Sequence, residues 1–389
     1  MENKGKSFFA KTSKGKKVFV GLSGGVDSSV SAVLLKNQGY DVTGVFIKVW
    51  QPEFVKCDWR EDRLDAMRIC AKLDIPFKDL DLEEEYKKQV FDYMIEEYKN
   101  GRTPNPDVMC NKAIKFGGFL KFALDNGADY VATGHYARSV EREFPISNFQ
   151  FSKKEFSNSQ ELENRFELLA GKDENKDQSY FLWTLTQDQL KHILFPVGHL
   201  EKLEVRKLAK KYDLLTAEKK DSQGLCFVGM VEMKDFLKRF LPEKKGDVLN
   251  EKGEIIGYHD GAFYYTFGQR HGFIITEKTP DEKPYFVIDK NIEKNTITVS
   301  EKLREKNIFD KKEIEIENVN WISGKEPDLD KKYQARIRYR QPLQSCKIKR
   351  NSVLGCFNII FDEPQKSVSF GQSVVFYDNE VCLGGGIIS

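Results

Sequence analysis

Six residues, Ser23-Gly24-Gly25-Val26-Asp27-Ser28, follow the apolar run Val18-Phe19-Val20-Gly21-Leu22 and precede the helix-like stretch Ser29–Leu35. A strand that ends in a glycine turn and restarts as a helix aims several backbone N–H groups, and the positive end of a helix dipole, at one point. That arrangement suits a phosphate or pyrophosphate. The two glycines permit a tight turn and close backbone approach, while Asp27 and Ser28 can cap the helix or help hold a metal-bound phosphate. No Gly-Lys-Ser/Thr follows the glycines, so the loop is not of the Walker type.

Two further segments could do thiol chemistry. Gly101-Arg102-Thr103-Pro104-Asn105-Pro106-Asp107-Val108-Met109-Cys110-Asn111 joins two expected helices and holds two prolines, a carboxylate and a thiol. The prolines fix the backbone around Asp107 and Cys110. An exposed cysteine at a helix entrance gains thiolate character from the dipole, and Lys112 would add to it. The second thiol, Cys226, lies in Lys219-Lys220-Asp221-Ser222-Gln223-Gly224-Leu225-Cys226-Phe227. Each segment also reads as a bland one: a proline-stiffened linker, or a small buried hydrophobe between Leu225 and Phe227. Cys57, Cys70, Cys346, Cys356 and Cys382 read as structural. No Cys-x-x-Cys occurs among the seven cysteines, which fits neither a disulfide framework nor a zinc or iron–sulfur site. His135 also reads as a satisfied rim histidine and the other four histidines lack ligand spacing, so no protein-bound metal is expected.

The elements that must position these residues alternate between short β-branched runs and helical patterns from Lys17 to about Tyr136. Val18–Val20, Val42–Val49, Phe77–Leu82 and Tyr130–Thr133 read as buried parallel strands. Helices are expected near Ser28–Asn37, Arg60–Leu73, Glu83–Lys99 and Asn111–Asn126, and the alternation predicts an α/β, doubly wound parallel sheet. Ligands of such sheets bind at the carboxyl ends of the strands, which gathers the glycine loop, the loop after Val49 and Thr133-Gly134-His135-Tyr136 at one rim. Residues 141–164 read as an exposed hairpin with a long polar tip. The chain reads as helical from Gly171 through Leu190, and as two or three more helices from Glu201 to about Phe240. Short strands broken by Gly, Asn, Asp and Pro then run to Ser389, as in a small β-barrel. The expected domains are 1–200, with a flexible tail over 1–16; a middle domain over 201–280 carrying the Cys226 loop; and a C-terminal barrel over 281–389.

The glycine loop resembles the PP-loop of the ATP pyrophosphatases. With Asn105–Lys112, Thr133–Tyr136, Asn175-Lys176-Asp177-Gln178-Ser179-Tyr180-Phe181-Leu182, Asp221–Phe227, Thr266–Gly272, Arg338-Tyr339-Arg340-Gln341 and Val381–Ile388 in order along the chain, the whole resembles the tRNA-specific 2-thiouridylases. The resemblance implies ATP-dependent thiolation of the wobble uridine of tRNA. By it, Gly21, Leu22, Ser23, Gly24, Gly25, Val26, Asp27, Ser28, Ile47 and Gly134 hold ATP, with Mg²⁺. Asn105, Pro106 and Asp107 contact the target base, Asp107 as general acid/base. His135, Lys176, Asp177, Gln178, Arg338, Tyr339 and Gln372 contact tRNA. It further implies that Cys226 accepts a persulfide from a sulfur carrier fed by a cysteine desulfurase, and that Cys110 attacks it, leaving a Cys110–Cys226 disulfide. The implied partners are tRNAs with an unmodified wobble uridine, those for lysine, glutamate and glutamine. Position 47 is Ile where the family commonly has Met. The tail and a long 141–164 insertion are extra.

Uracil chemistry makes the same demands. The C2 oxygen is a poor leaving group, so it must first become a phosphate ester. Its attack on the α phosphorus expels pyrophosphate, whose charge a loop and Mg²⁺ neutralise, and AMP leaves as sulfur arrives. The chain as a whole carries 62 basic and 60 acidic residues, a net charge of +2, so a polyanion site must be local. Lys331–Arg350 supplies one, with eight Lys or Arg and no carboxylate. Arg336, Arg338 and Arg340 alternate along an expected strand and would share one face. Tyr339 would then face away, unless a bulge or strand end intervenes. No apolar run is long enough to span a bilayer, and a Lys-rich start without an apolar core reads as a solvated tail. A cytoplasmic protein that needs no membrane is expected. Two rivals stand beside the thiolase: a PP-loop ligase acting on a small molecule, for which no glutaminase-like region is visible, and a non-catalytic tRNA-binding protein.

Overall fold

The computed structural model describes residues 14–54, 59–145, 162–220, 233–276, 284–301, 310–353, 355–366 and 368–389. Its first sheet is built from β1 (Lys17–Gly21), β2 (Asp41–Lys48), β3 (Phe77–Asp81) and β4 (Tyr130–Ala132). The chain then leaves the sheet for a long antiparallel hairpin, β5 (Ala137–Pro145) and β6 (Leu162–Ala170), and returns as β7 (Ile193–Leu194). The strand order is β3-β2-β1-β4-β7, all parallel. The runs in β1, β2 and β4 are buried, as a sheet covered by helices requires: Val18, Val20, Val45 and Val131 are fully inaccessible. β3, expected to be buried, is instead a half-exposed strand at the sheet edge, because it has a neighbour on one side only. The order reverses between β1 and β4, and the glycine loop leaves β1 at this switch point, where open α/β sheets bind ligands. The tip of the hairpin, 146–161, lies outside the described residues.

Helices α1 (Val26–Asn37) and α2 (Trp59–Lys72) agree with the expectation to within two residues. The fourth helix starts earlier than expected. It is α-helical over Pro106–Cys110, π-helical over Asn111–Gly118 and α-helical again over Phe119–Asp125. Asn105 is its N-cap, with the side chain accepting from the Val108 N–H at 3.3 Å, and Pro106 occupies the first turn. An Asn-Pro pair that suggests a stiff linker is equally a helix start, because the missing proline N–H is one that a first turn leaves unpaired. Between Gly171 and Leu190, the expected helix is replaced by a 3-10 turn at Ser179–Leu182 and a short helix at Gln187–Leu190, started by a Thr186/Gln189 capping box.

Two separate β units follow. A five-stranded sheet takes β8 (Gly246–Leu249), β9 (Ile255–His259), β10 (Ile274–Ile275), β11 (Phe286–Asn291) and β12 (Thr296–Ser300) in the order β10-β9-β8-β12-β11. The expected boundary at 280/281 falls inside this sheet: β12 pairs with β8, so residues 286–300 lie with the middle unit. The last unit comprises β13 (Lys311–Trp321), β14 (Lys332–Arg336), β15 (Gln344–Arg350), β16 (Phe357–Gln365), β17 (Ser373–Asp378) and β18 (Val381–Ile388). They run β13-β16-β15-β14-β17-β18, and β13 also pairs with β18, closing a six-stranded barrel. Strand β18 pairs in addition with β6, so the hairpin of the first domain extends the barrel sheet.

That seam is reinforced by a buried ion pair. Asp177, 3% exposed, accepts from the Gly171 and Ser179 N–H groups through Oδ1, and from the Ser179 hydroxyl and Arg336 Nη2 through Oδ2, all at 2.9–3.0 Å. The Arg336 guanidinium also lies over the Tyr377 ring, 4.7 Å from its centroid. Arg336→Leu would leave the Asp177 carboxylate buried without its cation. The expected loss is ~3–5 kcal/mol of stability, read as a lowered urea midpoint, whereas Arg338→Leu on the exposed turn should shift it little.

Candidate active site

The glycine loop has the shape its sequence predicts. Leu22 N–H continues the sheet to the Val45 carbonyl at 2.8 Å. Gly24 then turns with φ +70°, where a Cβ would lie 2.5 Å from the Asp62 carbonyl oxygen. Gly25 is the N-cap of α1, which has no side-chain cap, so its first-turn N–H groups remain available to an anion. Ser28 Oγ donates to the Gly25 carbonyl and accepts from Ser23 N–H, which sets the loop's width. Gly134, just past β4, completes the rim: a Cβ there would sit 2.7 Å from the Ser28 nitrogen and 2.8 Å from the Asp27 carbonyl carbon. Three glycines around an uncapped helix start fit a nucleotide phosphate. Ile47, near the end of β2, packs on the apolar clusters beneath.

Asp27, in the first turn of α1, is held by residues remote in sequence. Lys202 Nζ lies 2.7 and 2.8 Å from its two carboxylate oxygens, and the Tyr136 hydroxyl donates to Oδ1 at 2.7 Å. Lys202 opens α3 (Lys202–Lys211). This ammonium puts a cation at a phosphate loop that carries no lysine of its own, a feature with no local sequence signal.

The Pro106–Asp125 helix lies at a three-way junction. Val108 and Phe116 enter a core shared with Val375, Tyr377 and Cys382 of the barrel. Cys110 and Ile114, one turn apart, enter a second core with Phe236, Tyr264, Tyr265 and Val287 of the middle unit. Cys110 is only 8% exposed and is the fifth residue of the helix, not an exposed thiol at its entrance. The dipole argument therefore weakens, and Lys112 points to solvent. Asp107 is half-buried on the first turn. Burial pushes its carboxyl above the ordinary value, and the Lys115 ammonium opposes that rise.

Lys115 also donates to His135 Nε2 at 3.2 Å, and His135 Nδ1 meets the Thr133 hydroxyl at 2.7 Å. Burial, and secondarily Lys115, holds the His135 pKa well below its usual value. The Asp107 helix is thereby joined to the rim one residue from Gly134. Lys115 escapes a sequence reading that begins the helix at Asn111. With the start at Pro106, its place on the same helix as Asp107 and Cys110 becomes visible.

The 175–181 and 337–341 segments, which carry several of the expected RNA-contacting residues, touch each other. Tyr180 OH lies 3.0 Å from the Ser373 carbonyl and 3.3 Å from the Ile337 carbonyl, sharing its one O–H between them, Arg340 Nε donates to the Asn175 carbonyl at 3.1 Å, and the Phe181 ring packs tilted against Tyr339 with centroids 4.6 Å apart. Asn111, beside Cys110, donates to the Phe181 carbonyl. Strand β14 ends at Arg336, and the chain turns through Arg338–Arg340, with φ +62° at Arg340. The expected single face of Arg336, Arg338 and Arg340 is therefore replaced by a buried Arg336 and an exposed turn, and the strand end frees Tyr339 from alternation. Lys332 and Arg350 are paired with Asp362 and Glu326. Arg338, Tyr339, Gln341, Gln344 and Lys366 line a groove of ≈ 460 Å³. Lys176 is half-buried, and Gln178 accepts from Tyr136 N–H. The side chains of His135 and Asp177 are 5% and 3% exposed and engaged within the protein. Gln372 faces the 103–104 backbone rather than the groove. Cys226 and its loop lie outside the described residues.

Among the described residues, no cluster of three His, Cys, Asp or Glu is placed to hold a metal, and no helix is long and apolar enough to cross a membrane. Family models match nearly the whole chain: "tRNA methyl transferase HUP domain" over 16–230, "tRNA methyl transferase PRC-barrel domain" over 234–301 and "Aminomethyltransferase beta-barrel domain" over 311–388. Fold and site thus define a HUP-type α/β protein of the PP-loop class, followed by two β units. The chain is 45% identical over 375 residues to the tRNA-specific 2-thiouridylase MnmA of Francisella philomiragia, covering 96% of this chain and 99% of that protein. To the Halalkalibacterium halodurans enzyme of the same name it is 46% identical over 381 residues, covering 97% and 96%. The chain belongs to the tRNA-specific 2-thiouridylase family, ATP-dependent sulfurtransferases that modify tRNA. A U34-tRNA thiolase, NcsA from Methanococcus maripaludis, aligns over 59% of this chain and 68% of its own at 17% identity, with a TM-score of 0.34. That likeness adds nothing to the sequence relationship.

Two outcomes test this geometry. Lys115→Met removes the cation that favours the ionised carboxylate, so Asp107 should titrate at higher pH than in the wild type, followed by carbon NMR of the labelled carboxyl. Gly134→Ala would drive a methyl against the start of α1 and should weaken ATP binding by ~10-fold or more, about 1.4 kcal/mol, measured by calorimetry without tRNA.

Proposed function

We propose that the chain catalyses ATP-dependent 2-thiolation of the wobble uridine of tRNA. The observation that carries this reading is the Pro106–Asp125 helix: it ties the segment of Asp107 and Cys110, through Lys115 and His135, to the rim of a phosphate-binding glycine loop. The almost full-length relationship to curated 2-thiouridylases supports the same reaction.

In this reading Gly21–Ser28, Ile47 and Gly134 hold ATP, which supplies the adenylyl group that makes the C2 oxygen a leaving group. The first-turn N–H groups of α1 and the Lys202 ammonium would meet phosphate charge, and Asp27 would be the carboxylate to hold an accompanying Mg²⁺, which would neutralise pyrophosphate charge. Asn105 and Pro106 orient the uracil, and Asp107 exchanges the proton, its ionisation set by burial against Lys115. Cys226 carries the persulfide, and Cys110 attacks it to release the sulfur, with a disulfide left between them. The exposed Arg338–Arg340 turn and Lys176 meet the tRNA, whose acceptors by family are those for lysine, glutamate and glutamine. A persulfide carrier fed by a cysteine desulfurase supplies sulfur, in the cytoplasm.

The test is AMP and pyrophosphate release from ATP with and without unmodified tRNA, alongside mass spectrometry of the tRNA for sulfur-for-oxygen exchange. Release should depend on tRNA and track thiolation. Asp107→Asn should lower it by ~10²–10⁴-fold, and Cys110→Ser and Cys226→Ser should each abolish exchange. Full thiolation by both serine variants would remove the two-thiol scheme. Release stimulated by a small carboxylic acid without RNA would favour a ligase.

A further inference from the structure

The residues just before the Asp107 helix, Arg102–Asn105, form no regular element. Their conformation is set by the C-terminal barrel. Thr103 N–H donates to the Phe370 carbonyl at 2.8 Å. Gln372 Nε2 donates to two successive carbonyls, Thr103 at 2.8 Å and Pro104 at 3.1 Å. Between those two barrel residues, Gly371 has φ +88°, and a Cβ there would lie 3.0 Å from the Thr103 oxygen and 3.1 Å from Arg102 Cβ. Arg102 Nη2 pairs with Glu317 of β13 at 2.8 Å, and its Nε pairs with Glu97 at the same distance. On the opposite side, the Thr103 and Thr266 hydroxyls lie 3.3 Å apart.

A primary amide has two N–H donors, and both of Gln372's are directed at backbone carbonyls. The next residue, Asn105, caps the helix that presents Asp107 and Cys110, and the prolines on either side transmit the orientation of the 103–104 peptides to that cap. Backbone Gln372 is itself anchored, its carbonyl accepting from Ile388 N–H at 2.8 Å on β18. An unbroken set of short contacts thus runs from the closing strand of the barrel to the helix start.

We propose that Gln372 is a positioning residue and that the Phe370–Gln372 segment of the barrel completes the active site by fixing the backbone of the target-base loop. This rests on the thiolation reading for its kinetic consequence, but the clamp itself does not. A tRNA-contacting residue contributes to RNA affinity. A residue that holds the loop contributes to turnover, because a displacement of about 1 Å can cost roughly 10²-fold in rate.

Gln372→Leu, and Gln372→Glu as an isosteric second variant that faces the two carbonyls with a carboxylate, separate the possibilities. Both should keep tRNA affinity within about 2-fold by filter binding and leave ATP affinity unchanged. The kcat for tRNA-dependent AMP release should fall by about 10²-fold at little-changed KM for tRNA. Amide hydrogen exchange across 103–110 should rise selectively, a readout that stands even if the wild type proves to have another substrate. A wild type without tRNA-dependent release would remove the thiolation reading and leave the exchange result to decide the clamp. Loss of tRNA affinity in step with kcat/KM, at unchanged kcat and unchanged exchange, would overturn the proposal in favour of direct RNA contact, and so would variants indistinguishable from wild type in every readout.

Discussion

The arrangement of this protein depends on one buried carboxylate. Asp177 accepts from two backbone N–H groups, a hydroxyl and the Arg336 guanidinium, and so satisfies at once the turn after β6 and the end of β14. Burying two charges is costly unless the geometry and the remaining hydrogen bonds compensate. Here they do so only when the first domain and the barrel are in register. The pair therefore acts as a condition on how the two domains meet, and strand β18 satisfies it by adding directly to the β5–β6 hairpin. Apolar burial alone would tolerate a slipped interface.

With that register fixed, the chemistry-bearing helix has no freedom left. Its Val108 and Phe116 face the core common to the first domain and the barrel, and its Cys110 and Ile114 face the core of the middle unit. Every domain contributes one wall, and the loop that precedes the helix is tied to the barrel through Phe370 and Gln372. The π-helical stretch from Asn111 to Gly118 lies where Lys115 reaches His135 and Asn111 reaches the Phe181 carbonyl. A wider turn in such a place accords with the frequent occurrence of π-bulges at functional sites.

Electrostatics divides the basic groups by role. Arg336 is a buried structural cation, Lys202 and Lys115 are cations brought to the nucleotide rim from distant elements, and Arg338 and Arg340 stay on an exposed turn. In sequence, Arg336, Arg338 and Arg340 look equivalent. Burial and partner decide the difference, since a guanidinium in a core must be paired whereas one at a turn can meet phosphate.

Much of this was legible in the chain itself. The parallel sheet, the glycine loop at its switch point, the hairpin and the β-rich end follow from local rules: period, β-branching, and glycine where only glycine fits. Residue types likewise marked Asp27, Asp107 and Cys110 as groups that could do chemistry. Other features came out differently because they are set by long-range contacts. These include the start of the Asp107 helix, the burial of Cys110, His135 and Asp177, the division of the β-rich end into a five-stranded sheet and a closed barrel, and the end of β14. Lys202 meets Asp27, and Gln372 meets Thr103, across most of a domain or more of intervening sequence. The sequence determined which groups exist and which local elements carry them, because those depend on steric and hydrogen-bonding rules that act over a few residues. Only the tertiary structure decided which groups are neighbours, which are buried and which charge is cancelled, because those depend on strand pairing and core packing between segments far apart along the chain.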